Sequence, residues 1–105
     1  MSLKKQYLKS RPECKVTFSI SKEEMNGGSK VSVVGDFNNW EKASHPLKKR
    51  KRGDYSVQLK LPTGKSYEYK YLVDDTDWIL DSADDGRIQV EGFNTENSVV
   101  SLHKE

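Results

Sequence analysis

Two tryptophans, Trp40 and Trp78, are the residues best equipped to hold a ligand. Each follows polar residues rather than an apolar alternation: Trp40 ends Gly35-Asp36-Phe37-Asn38-Asn39-Trp40, and Trp78 follows Asp74-Asp75-Thr76-Asp77. An indole at a strand–loop junction offers a flat apolar face beside hydrogen-bonding groups. Sugar rings fit such a surface, because the axial C–H groups of a glucose unit stack on the indole while the rim hydroxyls need partners. Nucleic-acid bases stack equally well, and ordinary core packing is the competing role for any Trp in a small β domain. Asn97, with donor and acceptor on one amide, and Lys70, a donor, are side chains of the kind that could serve the polar rim.

Catalytic chemistry has no comparable constellation. His45 and His103 have no Cys or His neighbours at metal-ligand spacing, and no strand–turn–helix surrounds a Ser or Cys nucleophile. Both histidines read as ordinary surface residues, and no catalytic residue, metal ligand or cofactor is expected. Asp81, Asp85 and Gly86 match positions one, five and six of a helix–loop–helix calcium site, but Ala83 stands at position three and Gly92 at position twelve, and Glu91 comes one residue early. Asp74, Asp75, Asp77, Asp81, Asp84 and Asp85 therefore read as a solvated acidic loop. The unbroken basic run Lys48-Lys49-Arg50-Lys51-Arg52 reads as a loop or strand edge, where lysine discourages edge-to-edge aggregation, in preference to a phosphate-binding patch.

The scaffold that must position these residues is small. A chain of 105 residues has room for one domain, and 33% hydrophobic against 32% charged residues leaves a thin core. With 18 basic and 16 acidic residues, net +2, neither nucleic acid nor a membrane is the leading partner. The single Cys14 forbids an internal disulfide. No stretch approaches the roughly 18 apolar residues of a membrane span, and no signal peptide is evident, so a cytoplasmic location is expected.

Period-two alternation dominates the chain. Val16, Phe18 and Ile20 share one strand face, and Val31, Val33 and Val34 follow after the turn Asn26-Gly27-Gly28-Ser29, a spacing that predicts an antiparallel hairpin between the two runs. Tyr55, Val57, Leu59 and Leu61 alternate with polar residues up to Pro62-Thr63-Gly64. In the next strand Tyr67, Tyr69, Tyr71 and Val73 are expected in the core, with Lys70 facing away from it. The short apolar run Trp78-Ile79-Leu80, then Arg87-Ile88-Gln89-Val90 and Val99 to Leu102, complete a set of short strands separated by turn signals. Helical periodicity is absent, which points to an all-β sandwich.

Gly35-Asp36-Phe37-Asn38-Asn39-Trp40 resembles the G-x-F-N-x-W signature of carbohydrate-binding module family 48, which includes the isoamylase early-set domain and the glycogen-binding domain of the AMP-activated protein kinase β subunit. Leu61-Pro62-Thr63-Gly64, Tyr67 to Asp74 with Trp78 after it, and Asn94 to Val100 resemble further segments of that family in the same order. The resemblance covers about Lys15 to Leu102 and implies an immunoglobulin-like β-sandwich of the early-set type over 15–102, with an N-terminal extension, 1–14, and a tail, 103–105. By position it implies that Trp40 and Trp78 are stacking residues, that Lys70 and Asn97 contact sugar, and that Phe93 and Thr95 lie in the binding loop. The turn before Trp78 is one residue longer than the family's V-D-G-x-W arrangement, and Phe93 stands where a leucine is frequent.

The expected function is non-catalytic binding of α-1,4-linked glucan, whether starch, glycogen or maltooligosaccharide. Each stacked indole covers on the order of 100 Å² of apolar surface, giving about 2.5 kcal/mol before the cost of ordering the sugar, so micromolar to millimolar affinities follow. The alternative is a docking module of the same fold for a glucan-metabolising enzyme or a kinase. Single-stranded nucleic-acid binding through the basic run and the aromatics is a third possibility, marked by steep salt dependence. Catalytic barrels of enzyme relatives need about 250 residues, so their chemistry does not carry over.

Overall fold

A computed structural model describes residues 1–103 of the chain; Lys104 and Glu105, the end of the expected tail, lie outside the described residues. Among the described residues the strands are β1 (Ser2–Tyr7), β2 (Glu13–Ile20), β3 (Val31–Gly35), β4 (Lys48–Lys49), β5 (Tyr55–Pro62), β6 (Lys65–Val73), β7 (Asp77–Ile79), β8 (Gly86–Gln89) and β9 (Glu96–Leu102). They form two antiparallel sheets, one in the order β1-β2-β5-β4 and the other β3-β6-β9-β8, with β7 paired to the end of β6. This is the all-β, immunoglobulin-like sandwich expected.

The period-two patterns explain the two layers. Cys14, Val16, Phe18 and Ile20 of β2 and Leu59 and Leu61 of β5 point inward from the first sheet, and Tyr67, Tyr69, Tyr71 and Val73 of β6 meet them from the second. Phe18 sits edge-on to Tyr69, with ring centroids 5.1 Å apart, and Phe37 joins the cluster 5.6 Å from Phe18. Aromatic pairs in such offset or edge geometry stabilise a thin core beyond their buried area. Residues 1–14 contribute a strand of their own, since β1 pairs with β2 from Ser2 opposite Ser19 to Tyr7 opposite Cys14. Lys5, on the inner face of β1, reaches across to Asp85 at 2.6 Å and ties the edge of one sheet to the strand entry of the other.

The hairpin expected between the runs 16–20 and 31–34 does not form. β2 pairs with β1 and β5, whereas β3 pairs with β6 in the opposite sheet. All five residues of β3 are buried, so this strand cannot sit as one solvated arm of a hairpin; it needs cover on both faces. The connection 21–30 crosses between the layers through a short 3-10 turn, Glu23–Met25, which buries Met25 at the end of the core. Gly28 passes so close to β6 that a Cβ there would lie 2.3 Å from the Val73 side chain, which explains the glycine pair in what reads as a simple turn.

One departure from simple alternation prepares the functional surface. Val34 and Leu72 are on the outer face of the second sheet, yet they are buried. The segment following β3 folds over that face, where Ser32 Oγ donates to the Lys42 carbonyl oxygen at 3.1 Å, and carries Trp40 with it. The last strand is also longer than expected, starting at Glu96 rather than Val99, so that Asn97 lies within the sheet.

Candidate functional site

Gly35-Asp36-Phe37-Asn38-Asn39-Trp40 is a folding device for presenting one indole. Gly35 lies against β6, where a Cβ would meet the Glu68 carbonyl oxygen at 2.3 Å, so the chain can hug the sheet only without a side chain. Phe37 anchors the turn in the aromatic core. Asn38 accepts from the Gly35 N–H at 3.0 Å through Oδ1 and donates to the Val33 carbonyl at 3.1 Å through Nδ2, closing the turn on itself. Asn39 and Trp40 then adopt left-handed backbone angles, φ +55° and +58°. That conformation is unusual for a bulky residue, and the surroundings hold it: the Trp40 N–H donates to the Gly35 carbonyl at 2.9 Å.

Asp36 completes the arrangement. Its Oδ1 accepts from Trp40 Nε1 at 2.9 Å while its Oδ2 accepts from the Glu68 N–H of β6 at 2.8 Å, so one carboxylate fixes the indole plane relative to the sheet. Asp36→Ala is expected to weaken sugar binding about tenfold, the equivalent of one charge-assisted hydrogen bond, with a change of only a few degrees in the thermal midpoint; calorimetric titration and a melt check both halves.

The second indole is placed by a different turn. Trp78 lies opposite Leu72 in the β6–β7 register and therefore projects on the outer face. The longer turn before it does not carry the indole away. Asp74 and Asp75 take left-handed angles, φ +52° and +61°, and Asp74 Oδ1 accepts from the Lys30 N–H, the Ser29 N–H and Ser29 Oγ at 3.0 to 3.1 Å. Those donors, the Lys30 amide first, hold the Asp74 carboxyl below the usual carboxylate range. The turn is thus clamped to the neighbouring loop, with Trp78 left 43% exposed.

Trp40, Trp78, Lys70, Thr95, Asn97 and Val90 line one shallow cleft of about 250 Å³ on the outer face of the second sheet. Lys70 Nζ donates to Thr95 Oγ1 at 3.0 Å, and Asn97 Nδ2 donates to Glu68 Oε1 at 3.1 Å, leaving the Asn97 carbonyl oxygen without a protein donor among the described residues. Lys42 brings its ammonium to 5.9 Å from the Trp78 ring centroid, a cation–π contact that no sequence pattern announced. No carboxylate is among the lining residues. A cleft of indole faces, one valine and fixed amide, hydroxyl and ammonium groups suits a neutral polyol, which needs apolar contact and hydrogen bonds together.

Five of the six residues singled out from the sequence are brought together here: Trp40, Lys70, Trp78, Thr95 and Asn97. Phe93 is not among the lining residues. It stands on the turn after β8, 70% exposed, with its N–H donating to the Val90 carbonyl. Val90 was the residue missed, although the alternation of Ile88 and Val90 with no evident core role was the available signal.

Other expectations are corrected. Asp81 is fully buried, not part of a solvated loop. It accepts from Tyr69 Oη at 2.7 Å and from the Ala83 N–H at 2.8 Å, while its own N–H donates to Ser98 Oγ at 2.9 Å. It therefore pins the β7–β8 connection, and with it the wall carrying Val90, to β6 and β9. Burial pushes its carboxyl above the usual range. His45 is structural rather than a free surface residue, since Asn38 Nδ2 lies 2.9 Å from its Nδ1 and Phe37 packs on its ring. The basic run, by contrast, is the strand edge and loop expected: it forms the edge strand β4 and the turn after it, on the sheet opposite to the tryptophans, so it and the indoles share no groove. Among the described residues no group of three or more His, Cys, Asp or Glu side chains is placed to hold a metal ion, and no helix is long and apolar enough to cross a membrane.

Residues 19–105 match the family model described as the glycogen recognition site of AMP-activated protein kinase. The chain is also similar to proteins named 1,4-alpha-glucan branching enzyme GlgB 2 from two strains of Xanthomonas campestris pv. campestris, 8004 and ATCC 33913, at 40% identity over 47 residues. That match covers 44% of this chain and 6% of each branching enzyme.

Proposed function

The chain belongs to the family of glycogen recognition sites of AMP-activated protein kinase, within carbohydrate-binding module family 48, and from that premise we propose that it binds α-1,4-linked glucan without catalysis, by stacking sugar rings on Trp40 and Trp78. The observation that carries this reading is the convergence of both indoles with Lys70, Thr95 and Asn97 in one cleft free of carboxylates. Lys70 and Asn97 hydrogen-bond the hydroxyls, and Thr95, already bonded to Lys70, sets the ammonium in place. Phe93 stands outside the cleft lining, exposed on the turn after Val90, where only a longer chain reaches it. The likeness to branching enzymes fits a glucan ligand, and a cytoplasmic location accords with a single, buried Cys14 that needs no oxidising compartment.

One observation favours a second reading, docking to a glucan-metabolising enzyme or a kinase. The register puts Lys4, Lys15, Lys48 and Lys60 on the outer face of the first sheet, with Lys15 directly opposite Lys60. Like charges in that position are unfavourable, and an acidic partner relieves them. Retention on insoluble α-glucan, with cellulose as the control and at low and high salt, separates the two. Selective retention unchanged by salt is expected; no retention, with salt-sensitive capture of a purified acidic enzyme or kinase instead, would move the function to the lysine face.

A further inference from the structure

The geometry points to Ile88 as an additional glucan contact that lets the module discriminate long chains from short ones, an inference that rests on the glucan reading of the cleft. In the β8–β9 register Ile88 lies directly opposite Asn97. Tyr69 lies opposite Ser98, so the next position along β6 brings Lys70 beside Asn97. On the other side of β6, Val34 lies opposite Lys70. A single row, Val34, Lys70, Asn97 and Ile88, therefore crosses the outer face of the sheet. From Lys70 to Ile88 it spans two strand spacings, about 10 Å.

The two ends of that row differ. Val34 is fully buried beneath the segment that delivers Trp40, whereas Ile88 is 46% exposed on an edge strand whose four residues are all exposed. Trp78, Ile88 and Phe93 are the large hydrophobic side chains the domain leaves open. Ile88 is thus not required by the core, and it stands two residues before Val90, which lines the cleft just past the end of β8 and donates its N–H to the Thr95 carbonyl. An aliphatic side chain there continues the apolar wall past Asn97 without demanding a hydrogen bond. A short oligosaccharide held between the indoles, Lys70 and Asn97 ends before reaching it; a longer chain running across the strands covers it.

Covering the open half of an isoleucine is expected to be worth about fivefold in affinity. The test compares maltotriose and maltoheptaose by calorimetric or NMR titration on the whole chain and on two variants. Ile88→Ser should weaken maltoheptaose about fivefold and leave maltotriose and the thermal midpoint unchanged, and Ile88→Trp should tighten maltoheptaose alone. Equal effects on both sugars, or no effect of either variant, would overturn the role of Ile88 while leaving the cleft intact. Failure of the unaltered protein to bind either sugar would instead remove the glucan reading, and this inference with it.

Discussion

Replacing Trp78 by alanine is expected to weaken maltoheptaose binding about 60-fold while leaving the domain folded. The size follows from an indole face covering on the order of 100 Å² of apolar surface, about 2.5 kcal/mol. The selectivity of the effect follows from position. Trp78 is 43% exposed at the end of a short strand, and neither it nor Trp40 belongs to the buried core. Trp40→Ala should produce a loss of similar size, with a small gain or loss in stability. Removing the indole discards its bond to Asp36 but leaves a residue that still needs a left-handed backbone. Isothermal titration beside a thermal melt reads both quantities. A variant that unfolds would place the tryptophan in the core, and a variant that binds as before would take it out of the site.

The largest effect on stability is expected at Asp81. Asp81→Ala leaves the buried Tyr69 hydroxyl and the Ala83 N–H without their acceptor and opens a void between β6 and β9. Each unsatisfied buried donor costs roughly 1–3 kcal/mol, so a total of about 3–5 kcal/mol is expected, a large share of the roughly 5–15 kcal/mol that holds such a domain together. At this size the thermal midpoint should fall by roughly 15–25 °C. Asp81→Asn separates charge from shape. The folded-state carboxyl of Asp81 is raised by burial, so the folded chain binds the proton more readily than the unfolded one. Its contribution to stability is therefore fully present below the unfolded carboxylate range and is lost as pH rises through the raised folded value. The deficit of Asp81→Asn relative to the unaltered protein should be greatest in acid and shrink as pH rises, which denaturant melts over a pH series measure. A deficit that grows with pH would mean that Asp81 is stabilised as the anion.

Alternation made most of the sandwich legible in the sequence, because a strand buried on one face must repeat every second residue. The faces of β5 and β6 follow directly from Tyr55 to Leu61 and from Tyr67 to Val73. Pairing was less legible. Val31 to Val34 reads as the second arm of a hairpin, but which sheet a strand joins depends on cover for its second face, and that cover comes from residues far along the chain. Burial of Asp81 was hidden for a related reason: six aspartates in a short stretch suggest solvent, and only the fold shows that one of them meets Tyr69 and Ser98.

The cleft divides in the same way. Trp40 and Trp78 were visible because a large apolar side chain set among Asp, Asn and Thr breaks the local pattern, and the outward direction of Lys70 followed from the alternation around three tyrosines. Thr95 and Phe93 were named through the family resemblance alone, and the structure separates them: Thr95 lines the cleft, bonded to Lys70, while Phe93 does not line it. Val90 lines the cleft from just past β8, and Lys42 reaches Trp78 from the segment folded over β3, placements that no local spacing encodes.

The most direct test of the account is an NMR titration that follows the two indole N–H resonances as maltoheptaose is added, with a cello-oligosaccharide as the control, at two salt concentrations. Saturable shifts of both indoles with a common dissociation constant between micromolar and millimolar, specific to the α-linked sugar and insensitive to salt, are the predicted result. Absence of any shift up to tens of millimolar sugar, or movement of one indole alone, would contradict a single glucan site built on Trp40 and Trp78.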